Sequence, residues 1–241
     1  MERIQKVIAN YGYCSRRKAE ELLLKGQVRV NGEVIKELGY KVSSKDIIEV
    51  EGNVIENQEK EYILLNKPRG VITTTSDDKH RKTVIDLIPS GKRLYPVGRL
   101  DYDTTGLLIL TNDGELANLI MHPKNQVEKV YIAKIEGILT VEKIKKLEFG
   151  VVIDGIKTGR AKVKVRKIDK KSGTSIVELT INEGRNHQVK KMFDAVGYEV
   201  LKLKRERISF LTLAGINSGE FRYLNPKEVK RLYNELLKSE G

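Results

Sequence analysis

Tryptophan is absent from this 241-residue chain, cysteine occurs once and histidine three times. The lone Cys14 excludes an internal disulfide framework and leaves no cysteine cluster for zinc. His80, His122 and His187 lie far apart in the sequence, so a histidine-built metal centre is not expected. No apolar run approaches the ~18 residues that read as a membrane span. The first six residues lack the apolar core of a secretory signal. Neither a dinucleotide fingerprint nor a phosphate-binding glycine loop appears. The chain therefore reads as a cytoplasmic protein with no membrane partner, no metal and no cofactor.

What the chain has in excess is positive charge, a formal +12 against an apolar content of 39%. Such a surplus favours polyanions, whose condensed counterions are released on binding. The length suits one or two domains with a substantial core.

Residues 1–60 read as a small module ending in a linker. Ile4, Val7, Ile8 and Tyr11 recur at helical spacing, and Gly12 ends that helix. Ser15 can cap a second helix whose buried stripe is Ala19, Leu22 and Leu23, with Gly26 closing it. Val28-Arg29-Val30-Asn31-Gly32-Glu33-Val34-Ile35 alternates on both sides of Asn-Gly, a strong hairpin signal. Ile47–Val50 reads as a third strand, and the linker falls in the second half of residues 53–61. Two helices followed by this hairpin resemble the S4 RNA-binding module, through Ser15-Arg16-Arg17-Lys18-Ala19, Gly26-Gln27-Val28 and Val30-Asn31-Gly32. The resemblance implies that Arg16, Arg17 and Lys18 face RNA, where such cations contact phosphates.

Residues 62–241 read as a second domain. Tyr62–Leu65 is apolar, and Pro68 breaks it, which places Lys67 and Arg69 on the following loop as candidate RNA contacts. The polar cluster from Arg99 to Thr105 precedes the apolar run Leu107–Leu110, so it sits in a loop at the mouth of a buried strand. Asp113 can cap a short helix over 115–121. Lys129–Ile135 alternates as a strand, Thr140 caps a helix ended by Gly150, and residues 161–181 read as an antiparallel hairpin. A loop enters a helix whose first turns are expected to carry Arg185, His187, Lys190 and Lys191, with Gly197 ending it. Two strands are expected at 199–203 and 208–213. Asn225-Pro226-Lys227-Glu228 opens a last helix with a cap and Pro at its first position. The pattern is α+β: a mixed, mainly antiparallel sheet with flanking helices.

Gly98-Arg99-Leu100-Asp101, with Thr105-Gly106-Leu107-Leu108 and Thr111-Asn112-Asp113-Gly114, resembles the active-site signature of the RsuA/RluB family of ribosomal RNA pseudouridine synthases. Lys129-x-Tyr131 and Arg185-Asn186-His187-Gln188-Val189-Lys190 are similar to its second and third motifs, so the likeness spans nearly the whole chain. It implies that Asp101 is the catalytic carboxylate, Tyr131 lines the pocket against the target base, and a basic residue pairs with Asp101. Lys190 is the first choice for that partner and Arg185 the second. Arg99 is expected to fill the gap left by the flipped base or to hold its phosphate. The implied substrate is ribosomal RNA, 23S or a precursor large-subunit particle, acted on by a monomer, with 16S as the alternative. Asp101-x-Asp103-x-Thr105 also fits haloacid-dehalogenase-type phosphatases, but their carboxylates follow a strand, whereas here the strand follows them. A non-catalytic RNA-binding assembly factor is the other alternative; it has no need of the set Asp101, Tyr131 and Lys190.

Overall fold

The structure, a computed structural model, describes residues 1–237; the last four residues of the expected second domain lie outside it. The amino-terminal module pairs helices α1 (Ile4–Asn10) and α2 (Arg16–Leu24). They pack on a four-stranded antiparallel sheet built around Val28–Val30 and Ile48–Val50. Ser15 caps α2 by accepting from the Lys18 amide. Ile4, Ile8, Ala19, Leu22, Leu23, Val28, Ile48 and Val50 form a core of the module's own. Asn53–Ile55 is its last strand, and residues 56–61 connect it to the second part.

The second part is a nine-stranded mixed sheet. Its main path runs Lys162–Asp169, Thr174–Ile181, Lys129–Glu136, Val200–Ile208, Thr105–Thr111, Tyr62–Lys67 and Phe221–Tyr223. Every neighbouring pair is antiparallel except one. Val200–Ile208 meets Thr105–Thr111 in parallel, and only Lys204↔Thr105 and Arg205↔Gly106 are in register. Two antiparallel halves thus join over a two-residue seam. Gly106, at φ +110°, is required there: a Cβ would fall 2.1 Å from the Arg205 carbonyl oxygen.

The Thr105–Thr111 strand is buried on both faces. Leu108 and Leu110 enter one core with Tyr131, Ala133 and Phe193, while Leu107 and Ile109 enter the other. Helices α3 (Gly114–Met121) and α6 (Pro226–Leu237) cover the second face. Helices α4 (Val141–Phe149) and α5 (Gln188–Asp194) belong to the first. The two strands expected at 199–203 and 208–213 are instead one long strand, Val200–Ile208, followed by the short Leu211–Thr212. Its central residues pair on both sides, with Lys129–Glu136 and with Thr105–Thr111, which carries the strand through the charged stretch Lys202–Arg207.

Candidate active site

The loop from Gly98 to Thr104 ends at the parallel seam, and buried polar groups hold it from beneath. The Thr73 hydroxyl donates to the Leu100 carbonyl at 2.6 Å, and the Leu100 amide donates back to it at 3.2 Å. The Gly70 amide donates to the Tyr102 carbonyl at 2.8 Å. Lys67 is the central fastener. Its ammonium donates to the carbonyls of Pro68, Asp101 and Thr104 at 3.1, 3.0 and 2.9 Å.

Lys67 corrects the sequence reading. It is 0% exposed, the last residue of the Tyr62–Lys67 strand rather than a loop cation open to RNA. Burial pulls its ammonium down to about 8, while the carboxylates of Asp101 and Asp103 push it back up. Arg69, two residues on, is exposed as expected.

Above this fastened loop lies a cavity. Arg99, Asp101 and Thr104 line it from one side, Tyr131 and Leu203 from the sheet, and Arg185, His187 and Lys190 from the start of α5. The Asp101 carboxylate keeps 30% of its side-chain surface exposed. Lys190 Nζ stands 3.3 Å from Asp101 Oδ2, and His187 Nε2 stands 3.6 Å from Oδ1. Tyr131 is 8% exposed, belongs to the core beneath and lines the cavity. Three stretches separated by some thirty and sixty residues thus meet at one carboxylate. Arg99 is exposed at the rim.

Two features of the ionic arrangement differ from the reading of the sequence. Lys190 is shared, and its shorter contact, 2.7 Å, is to Asp103 Oδ1. That hydrogen bond and charge hold the Asp103 carboxyl below the usual carboxylate range. Arg185 makes no ion pair with Asp101. Its guanidinium donates to the carbonyls of Ile156 and Lys157 and to Glu183, fastening the motif loop to the Val152–Lys157 hairpin.

Sequence reasoning leaves His187 out of the chemistry as an ordinary residue at a helix start, gives Asp103 a part only in the phosphatase alternative, and assigns no site role to Thr104 or Arg205. His187 takes a left-handed backbone (φ 54°) as the residue before α5, and that turn aims its ring at Asp101. Its place three residues ahead of Lys190, one helical turn away, was the available signal. Thr104 lines the cavity at 2% exposure, and its hydroxyl has no partner among the described residues.

On the amino-terminal module, Arg16, Arg17 and Lys18 are exposed over the first turn of α2. Lys18 pairs with Glu21 at 3.1 Å. Among the described residues, no group of three His, Cys, Asp or Glu side chains is placed to hold a metal, and no helix is long and apolar enough to cross a membrane.

Comparison with known proteins bears on both halves. A family model described as RNA pseudouridylate synthase matches residues 61–195, and one described as S4 domain matches residues 2–48. Ribosomal large subunit pseudouridine synthase B of Bacillus subtilis (strain 168) is 56% identical over 233 residues, 96% of each chain. The dual-specificity RNA pseudouridine synthase RluF of Escherichia coli (strain K12) is 38% identical over 234 residues, 96% of this chain and 78% of that one. A crystal structure of a pseudouridylate synthase matches with a TM-score of 0.70 at 31% identity, covering 96% of this chain and 100% of the other.

Proposed function

The chain belongs to the RNA pseudouridylate synthase family, with an S4 domain ahead of the synthase domain, and we propose that it isomerises a specific uridine of 23S ribosomal RNA with Asp101 as the catalytic carboxylate. The observation that carries this reading is the convergence of Asp101, Lys190 and Tyr131 on one cavity at the parallel seam of the sheet.

The reaction breaks the bond from uracil N1 to ribose C1′ and joins C1′ to C5, with no net gain or loss of atoms or electrons. A carboxylate at the sugar–base junction serves it either by direct attack or by stabilising positive charge at C1′. Both roles need it ionised in a site that RNA dehydrates on binding. Lys190 Nζ at 3.3 Å and His187 Nε2 at 3.6 Å face that carboxylate, and a cation so placed attracts an anion. A stacked uridine cannot reach the floor of the cavity, so the base is flipped out of its helix. Tyr131 then presents a ring against it, and Arg99 at the rim meets the backbone or the vacated stack.

Ribosomal RNA as substrate, and the large subunit in particular, is supported by the name of the Bacillus relative at 56% identity. The dual-specificity name of the Escherichia relative keeps a second RNA in view. Arg16 and Arg17 on the S4 module are the proposed phosphate contacts.

Asp101→Asn removes the charge at nearly constant shape. It is expected to abolish tritium release from 23S RNA labelled at uridine C5 while leaving RNA affinity within about twofold, because phosphate contacts dominate affinity. Release at the wild-type rate would exclude Asp101 as the catalytic group. Mapping pseudouridine in a deletion strain tests the target: the lost site is expected in 23S RNA, and a loss confined to 16S RNA overturns that assignment.

A further inference from the structure

Arg205 occupies an unusual position behind the cavity. It is 3% exposed, on the strand that supplies the parallel seam, directly across from Tyr131 in the antiparallel register. Residues paired this way point to the same face of the sheet. Its Nε donates to the Leu107 carbonyl at 2.8 Å and its Nη1 reaches the Tyr131 hydroxyl at 3.4 Å. The guanidinium carbon lies 6.0 Å from the centre of the Tyr131 ring. No carboxylate pairs with it among the described residues, and Nη2 has no partner there.

The titratable group on the neighbouring strand that feels its field carries the same charge. Lys129, two residues before Tyr131 on its strand, is half-buried, and among the described residues its ammonium donates to the Val127 carbonyl at 3.1 Å. Burial first, and the Arg205 charge second, pull the Lys129 ammonium down to about 8. A buried charge with no counter-ion and a like charge beside it is costly to keep. Holding one strand carbonyl does not require it, since a neutral amide donates as well. What a guanidinium adds is a planar fork that reaches the carbonyl and the phenol together, with its charge beside the face of the ring.

Building on the reading of Tyr131 as the wall that meets the flipped base, we propose that Arg205 is the positioning residue for Tyr131, fixing the plane of its ring and the direction of its phenol oxygen at the cavity. Arg205 itself touches no substrate. It fastens the phenol to the Leu107 carbonyl, and Leu107 lies one residue past the seam that ends the Asp101 loop. The orientation of the aromatic wall is thereby tied to the strand that carries the catalytic loop.

The test compares Arg205→Met and Arg205→Lys, alone and in a Tyr131→Phe background, by single-turnover tritium release from 23S RNA labelled at uridine C5. Arg205→Met is expected to slow the chemical step about 10–100-fold, the scale of a misplaced reacting group, with RNA affinity within about twofold. Arg205→Lys is expected to fall between Met and wild type. In the Tyr131→Phe background the loss from Arg205→Met is expected to shrink below about threefold, because the two side chains act as one unit. A full, additive loss there, or a wild-type rate in the folded single variants, overturns the proposal. Fluorine spectra of protein labelled with 3-fluorotyrosine give a reading independent of activity. The resonance assigned by its absence in Tyr131→Phe is expected to move or split in both Arg205 variants, and an unchanged line overturns the proposal. Where a melting curve shows that the Met variant does not fold, the Lys variant carries both measurements. If the wild-type protein releases no tritium, the activity reading fails, while the fluorine spectra still decide the role of Arg205.

Discussion

Lys67 shows how a residue that resembles a surface cation becomes the pin of an active-site loop. Its three carbonyl acceptors come from Pro68, Asp101 and Thr104, and no carboxylate bonds directly to it among the described residues. Lys67→Met strands three acceptors, each worth ~1–3 kcal/mol when buried without a donor. We expect the variant to melt measurably lower and to lose turnover more than RNA binding, since the loop it releases carries Asp101. A pH signature accompanies this. The ammonium titrates at about 8 in the folded chain and near ~10.4 when unfolded. Between those values the unfolded chain holds the extra proton, so raising the pH favours the folded state. Lys129 contributes a second rise of the same sign. Denaturant titrations across that window are expected to show a shallower rise in stability for Lys67→Met than for wild type; equal slopes would show that Lys67 is not the group titrating. The sequence marked this residue as notable, beside Pro68, but not its direction. Whether a lysine at the end of a strand points out to solvent or down into a ring of carbonyls depends on a loop more than thirty residues away.

At the scale of elements, the Asp113 cap joins three pieces of secondary structure. Its Oδ1 accepts from the Glu115 and Leu116 amides at the start of α3. Its Oδ2 accepts from the phenols of Tyr62 and Tyr233, at 2.7 and 2.6 Å. Burial pushes the carboxyl up, but the two phenols and two amides outweigh it and hold it below the usual range. Asp113→Asn puts an amide N–H against donors and is expected to cost about 2–3 kcal/mol, combining a weakened cap with an unpaired phenol. For a chain of this size that corresponds to a melting temperature lower by roughly 4–12 °C. Because the folded carboxyl titrates lower than the unfolded one, its contribution is full above ~3.9 and is lost as pH falls through the folded value. The acid limb of the stability profile is expected to be shallower in the variant; an unchanged limb and melting point would show the cap to be dispensable. The cap itself was legible, since Asp before Gly-Glu-Leu is a local pattern. The two tyrosines were not, because α6 and the Tyr62–Lys67 strand reach Asp113 only through the folded sheet.

Over the whole molecule, the S4 module and the synthase sheet have separate cores, and nearly all of the positive surplus belongs to the second, since residues 1–60 carry 11 Lys and Arg against 10 Asp and Glu. Lys60, in the segment that joins them, donates to the Asn10 carbonyl of α1. Binding and chemistry are therefore expected to respond to different substitutions. Arg16→Ala with Arg17→Ala is expected to weaken RNA binding and reduce the slope of log affinity against log salt by about 1.4–1.8, the release expected for two phosphate contacts. The single-turnover rate at saturating RNA is expected to stay near wild type. A rate that falls with an unchanged salt slope would place those arginines outside the RNA contact.

The linear chain by itself determined its helix caps, its hairpins, the two-part order of its domains and the three motif stretches that meet in the cavity. These are local properties, written in spacings of two to four residues and in the backbone preferences of Asn, Gly, Pro and Ser. Tertiary structure alone decided that Lys190 is shared between Asp101 and Asp103, that Arg185 holds a hairpin instead of the catalytic carboxylate, and that Lys67 and Arg205 are buried. The physical reason is range. A cation's partner is set by which groups lie within a few ångströms after strands far apart in sequence have paired, and the parallel seam that sets those distances joins residues about a hundred positions apart.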